Sequence, residues 1–123
     1  LENNIIFLHS VTDEELLQYY LKSSLFLFPS EYEGFGIPVL EALVSGVPVI
    51  TSNVSALPEA AGPNSRLVDP TDVEDIAKSI IDITRDKDLR SEMIAKGRRY
   101  ATRFESRVVS TQLMNLYKDM LHV

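Results

Sequence analysis

Glu33 and Glu41 stand on either side of a short glycine loop, in the stretch Ser30-Glu31-Tyr32-Glu33-Gly34-Phe35-Gly36-Ile37-Pro38-Val39-Leu40-Glu41. Carboxylates accept hydrogen bonds well from vicinal hydroxyls and repel phosphate. The backbone amides of Gly34, Phe35, Gly36 and Ile37 do the opposite: ahead of a helix, free amides and the helix dipole make a site for an anion. Two carboxylates flanking such amides suit a ligand with polyols on both sides of its phosphates, which describes a nucleotide sugar. The plainer reading is that Glu41 is a solvated helix residue and that the glycines only turn the chain, because short glycine motifs are weak evidence.

The elements around the loop are written in its flanks. Leu25-Phe26-Leu27-Phe28 is a purely apolar run and reads as a buried strand, which Pro29 stops because proline has no amide hydrogen for a ladder. After the loop, Val39, Leu40, Ala42 and Leu43 follow helical spacing. Pro38 suits the first turn of that helix, and Gly46 suits its end. The expected unit is a strand, a glycine loop and a helix beginning near Ile37, with Glu41 about one turn inside it.

Glu33-Gly34-Phe35-Gly36-Ile37-Pro38-Val39-Leu40-Glu41 resembles the Glu-x7-Glu signature of the retaining glycosyltransferases of the GT-B fold, family 4. The resemblance continues through Phe28-Pro29-Ser30 before it and Ala42-Leu43-Val44-Ser45-Gly46-Val47-Pro48-Val49-Ile50 after it. It resumes at Leu57-Pro58-Glu59 with Gly62, and again at Leu67-Val68-Asp69-Pro70, so nearly the whole chain takes part. It implies that residues 1–123 are a nucleotide-sugar-binding C-terminal domain. The N-terminal domain and the first βα unit of this domain are expected to lie before Leu1. It also implies transfer of a sugar from a nucleoside diphosphate to an acceptor hydroxyl, with retention of anomeric configuration.

By the same resemblance, Glu33 contacts the donor sugar and serves catalysis, Glu41 holds the ribose, and Gly34, Phe35, Gly36 and Ile37 line the donor. Nucleobase recognition, largely by backbone, falls near Ser10 and Val11. The family places an Arg and a Lys on the diphosphate, and none of Lys22, Arg66 or Lys78 stands where it would replace them. The carbohydrate or lipid-linked acceptor belongs to the other domain, so the chain alone is expected to be inert. No metal ion and no cofactor are expected in the transfer step. Asp86-Lys87-Asp88 has an Asp-x-Asp spacing but joins two helices. A nucleotide-sugar epimerase of the same architecture, or a binding module that has lost transfer, are the alternatives. A phospho-receiver domain is rejected, because the segment Leu8-His9-Ser10 lacks the acidic cluster it needs.

Composition agrees with one ordinary globular domain: 123 residues, 45% hydrophobic and 24% charged. The chain has no cysteine, which excludes disulfides and thiolate metal sites and suits a reducing compartment. A cytoplasmic location is expected, including the inner membrane surface. Net charge is −6, with residues 1–84 holding 3 Lys/Arg against 13 Asp/Glu and residues 85–123 holding 9 against 5. An acidic front half argues against nucleic acid as a partner.

Read in order, Ile5-Ile6-Phe7-Leu8 is a further buried strand, and Thr12-x-x-Glu15 is a capping box opening a helix with Leu16, Leu17, Tyr20 and Leu21 on one face. Val47–Thr51 is the next strand, Leu57–Ala61 one helical turn, and 65–68 a short last strand. Thr71-x-x-Glu74 is a second capping box. Three apolar stripes follow and are read as core: Val73, Ile76, Ala77, Ile80 and Ile81; then Leu89, Met93, Gly97, Tyr100 and Ala101; then Val109, Leu113, Leu116, Tyr117, Met120 and Leu121. If the other domain is absent, part of the last stripe should be exposed. Strands alternating with helices predict an α/β, Rossmann-like parallel sheet with helices on both faces, followed by C-terminal helices.

Overall fold

The computed structural model describes residues 2–121. Its centre is a parallel sheet of three short strands, Phe26–Phe28 (β1), Val49–Ser52 (β2) and Arg66–Val68 (β3), in the order β1-β2-β3. Phe28 is paired with Thr51, and Ser52 with Val68. Alternation along β2 divides the core in two. Val49 packs with Val39, Ala42, Leu43 and Leu57 on one side, while Ile50 packs with Val68, Ile83 and Met93 on the other. Helix α2 (Ile37–Ser45) covers the first side and α4 (Val73–Arg85) the second. Helix α5 (Lys87–Ala101) serves both, giving Met93 to one core and Ala101 to the other. This is the expected architecture of a parallel sheet with helices on both faces.

The predicted ends of α2 are those observed. Gly36 precedes it at φ 103°, Pro38 lies in its first turn, and Gly46, at φ 78°, donates back to the carbonyls of Ala42 and Leu43. The first capping box is also present: the Glu15 amide donates to Thr12 Oγ1 at 3.2 Å, and the Thr12 amide to Glu15 Oε2 at 2.8 Å, opening α1 (Asp13–Lys22). The single helical turn Leu57–Ala61 is α3.

Four expectations need correction. Ile5–Leu8 is irregular and exposed, with Ile6 at 83% and Phe7 at 79%. A strand exists only through its ladder partner, and this run pairs with no described strand. The second capping box is not formed. The Thr71 amide and hydroxyl both donate to Asp69 Oδ1, at 2.8 and 2.7 Å, and hold the Asp69 carboxyl below the usual carboxylate range. Asp72 caps α4 instead, accepting from the Asp75 amide at 3.0 Å. The buried stripe of α4 accordingly runs through Ile76, Ser79, Ile80 and Ile83, and Val73 is 75% exposed. Finally, the apolar stripe of α6 (Ser106–Leu121), read as core and expected to be exposed in part without the other domain, is exposed throughout, since no described element packs over it. Among the described residues no helix is long and apolar enough to cross a membrane.

Candidate functional site

Parallel pairing brings the loops after β1 and β2 side by side at the carboxyl ends of their strands. Thr51 Oγ1 donates to the Phe28 carbonyl at 2.8 Å and ties the two strand ends together. Beyond Pro29, the Ser30 hydroxyl faces both the Tyr32 carbonyl, at 3.0 Å, and Glu33 Oε1, at 3.2 Å. The Glu33 carboxylate is thereby folded back onto its own loop. Its amide reaches across to the neighbouring loop and donates to Ser55 Oγ at 3.2 Å. Ser55 adopts φ 52°, alone among the described non-glycine residues in having a positive φ.

The next four residues behave differently from one another. Among the described residues, no hydrogen bond uses the amides of Gly34, Phe35, Gly36 or Ile37. Gly36 is required by the fold: besides its positive φ, an added Cβ would stand 2.9 Å from Leu57 Cδ2. Gly34 is required by neither criterion, for an added Cβ there would meet nothing within 4 Å, and its φ is not positive. The Phe35 ring packs edge-on against Phe104 at 5.4 Å, and Phe104 in turn meets Tyr100 at 5.7 Å. The loop is thus fixed through Ser55, Phe104 and the α3 surface, while its amides are left unengaged.

Glu41 lies one turn along α2 from Ile37, and both line a groove of about 500 Å³ between α1 and α2, with Asp13, Tyr20, Leu40 and Val44. The Tyr20 hydroxyl donates to Glu41 Oε2 at 3.1 Å and also approaches the Pro38 carbonyl at 3.4 Å. Burial, reinforced by the hydrogen bond to the Glu41 carboxylate and its charge, pushes the Tyr20 phenol up to about 12. The other carboxylate oxygen of Glu41 has no described partner.

The sequence-predicted residues therefore fall into two neighbouring groups. Ser30, Glu33 and the loop amides form one, and Ile37 with Glu41 the other; no hydrogen bond joins the two glutamates, and Glu33 does not line the Glu41 groove. Ser10 and Val11 are exposed, just before the Thr12 cap of α1, and stand outside the groove that Asp13 enters. Arg66 begins β3, at the end of the sheet away from these loops, and lines a separate cavity of about 780 Å³ with Asp82, Arg85 and Asp86. Asp86 itself caps α5, accepting from the amides of Asp88 and Leu89. No group of three or more His, Cys, Asp or Glu that could hold a metal stands among the described residues.

Sequence reasoning missed Tyr20, Ser55 and Phe104. Tyr20 lies on the apolar stripe of α1 and reads as core, and its contact with Glu41 spans 21 residues. Ser55 lies in a polar loop where nothing local announces a positive φ.

Comparison with known proteins gives this arrangement a family. The chain is 41% identical over 117 residues to the O-antigen chain mannosyltransferase B of Escherichia coli, covering 95% of this chain and 31% of that protein. It is 34% identical over 103 residues to the serotype-specific mannosyltransferase WbdA of Escherichia coli, covering 80% of this chain and 13% of that one. Among solved structures, the sucrose-phosphate synthase of Thermosynechococcus elongatus superposes with a TM-score of 0.83 at 28% identity, covering 98% of this chain and 31% of that one. The chain thus spans about a third or less of each of these proteins. The family model of the glycosyl transferases, group 1, matches residues 1–100, and to that family the chain belongs.

Proposed function

We propose that this chain supplies part of the donor site of a transferase that moves a mannosyl residue from a nucleoside-diphosphate mannose to a hydroxyl of a growing glycan, with retention of configuration. The likeness to two mannosyltransferases supports the sugar. In this reading the diphosphate lies on the amides of Gly34 to Ile37 at the amino end of α2. Glu33 meets hydroxyls of the sugar, and the unpaired oxygen of Glu41 meets the ribose. Ser10 and Val11 sit towards the base. The remaining phosphate contacts and the acceptor come from chain outside these residues, so the chain alone does not turn over.

In the reaction the bond from the anomeric carbon to the diphosphate oxygen breaks, and the acceptor oxygen bonds to the same carbon and passes its proton to the departing diphosphate. Negative charge grows on the leaving diphosphate, and in this reading the unengaged loop amides stabilise it. We propose that no metal takes part; undiminished turnover after treatment with EDTA is the expected result.

The observation that carries the reading is Gly34. It is a glycine that neither backbone conformation nor packing demands, set among unengaged amides. Close approach of a ligand to the backbone is a physical reason for having no side chain there. In the full-length transferase, Gly34→Ala should lower kcat/KM for the mannosyl donor tenfold or more at unchanged melting temperature. Wild-type turnover in a normally folded Gly34→Ala would remove the loop from the donor site. Assay of GDP-mannose beside UDP-glucose and ADP-glucose tests the sugar.

A further inference from the structure

We propose that Ser55 is a positioning residue for Glu33, and that its strained backbone persists because a hydroxyl is needed at the carboxyl end of β2. The inference rests on the donor-contact role of Glu33 given above. Ser55 is exposed, so no core packing requires its side chain. At φ 52° a glycine would sit without the Cβ clash that serine bears, yet serine is present. What serine adds is an acceptor, and that acceptor takes the Glu33 amide at 3.2 Å, across 22 residues of sequence.

The contact completes a frame around one side chain. The Thr51 hydroxyl locks the ends of β1 and β2 at the Phe28 carbonyl, which sets the spacing of the two loops. Ser55, four residues beyond Thr51, then fixes the backbone of Glu33, while the Ser30 hydroxyl, shared with the nearer Tyr32 carbonyl, lies 3.2 Å from its carboxylate. Backbone and carboxylate thus each meet one serine, from loops that follow adjacent strands. A carboxylate that must stay on a sugar hydroxyl as charge develops at the neighbouring carbon depends on such placement. Strain retained beside a reacting group is also where strain is commonly found.

The test separates placement from folding by using two replacements of opposite effect on the backbone. Ser55→Ala removes the acceptor and keeps the strain; Ser55→Gly removes both. Both are made in the full-length transferase, beside Glu33→Gln and the Glu33→Gln/Ser55→Gly double variant. The expected result is a kcat lowered about threefold to tenfold in both Ser55 variants, the scale of one hydrogen bond, with donor KM little changed. Ser55→Gly should do so with a melting temperature at or above wild type. In the double variant, Ser55→Gly should cost nothing beyond Glu33→Gln, because its effect acts through Glu33. Wild-type kcat in Ser55→Gly, or independent losses that multiply in the double variant, would overturn the inference while leaving the role of Glu33 intact. If Glu33→Gln itself keeps wild-type kcat, the underlying reading of Glu33 fails, and the role of Ser55 falls with it.

Discussion

The buried Tyr20 hydroxyl of α1 donates to the Glu41 carboxylate of α2 at 3.1 Å, so the helix before β1 orients the carboxylate carried by the helix after it. Tyr20→Phe frees that carboxylate. In the full-length transferase it should raise the donor KM severalfold with kcat nearly unchanged, and lower stability by about 1 kcal/mol. Kinetics at saturating and limiting donor measure the first effect, and urea denaturation the second.

Burial of Tyr20, reinforced by the same bond, has a pH signature. The Tyr20 phenol is raised from 10.0 to about 12 in the folded chain. A group whose folded pKa is raised stabilises fully below its unfolded pKa and loses that contribution as pH climbs through the folded one. Between those values the unfolded chain binds fewer protons, and stability falls with rising pH. Melting curves from pH 9 to 12 should therefore fall more steeply for wild type than for Tyr20→Phe, and parallel curves would contradict the assignment.

The two loop glycines should separate cleanly. Gly36→Ala meets Leu57 and a positive φ together, and should cost about 1–3 kcal/mol or more. Gly34→Ala projects into open space and should stay within about 0.5 kcal/mol of wild type. Chemical denaturation of the two variants under identical conditions decides this.

Helices α2 and α5 approach at Gly97, where an added Cβ would lie 2.8 Å from Leu43 Cδ2. Gly97→Ala should destabilise by about 1–3 kcal/mol from overpacking, partly offset by about 1 kcal/mol of helix propensity. Leu43→Ala, which empties a buried site, should cost about 2–5 kcal/mol. The double variant should be more stable than the sum of the two losses, because the new methyl enters the space Leu43 leaves. Strict additivity would mean that the helices do not meet there.

Much of the fold is legible where the cause is local. Pro38 and Gly46 mark the ends of α2, and Thr12 with Glu15 marks the start of α1, because caps and turn residues act within a few positions. Ile5–Leu8 misled because strand formation depends on a partner that apolar content does not supply. Thr71 misled because Asp69, two residues earlier, engages the hydroxyl that would have capped the helix. At the candidate site, Glu33, Gly36 and Glu41 stand out through their spacing together with the Glu-x7-Glu resemblance. Tyr20 and Ser55 are not, since each reaches its partner across more than twenty residues, and a core tyrosine or loop serine carries no mark of that.

The central claim is that Glu33 acts on the sugar as the bond breaks, whereas Glu41 holds a distant part of the donor. A contact equal in ground and transition states lowers KM without raising kcat, while one that strengthens in the transition state raises kcat. Glu41→Gln should accordingly raise donor KM at nearly constant kcat. The most direct test is kcat for Glu33→Gln in the full-length transferase, measured at saturating donor with its melting temperature checked. A fall of roughly ten- to a hundredfold at unchanged melting temperature is the expected result, on the scale of one hydrogen bond to a charged group. A normally folded Glu33→Gln with wild-type kcat and only a raised KM would contradict it.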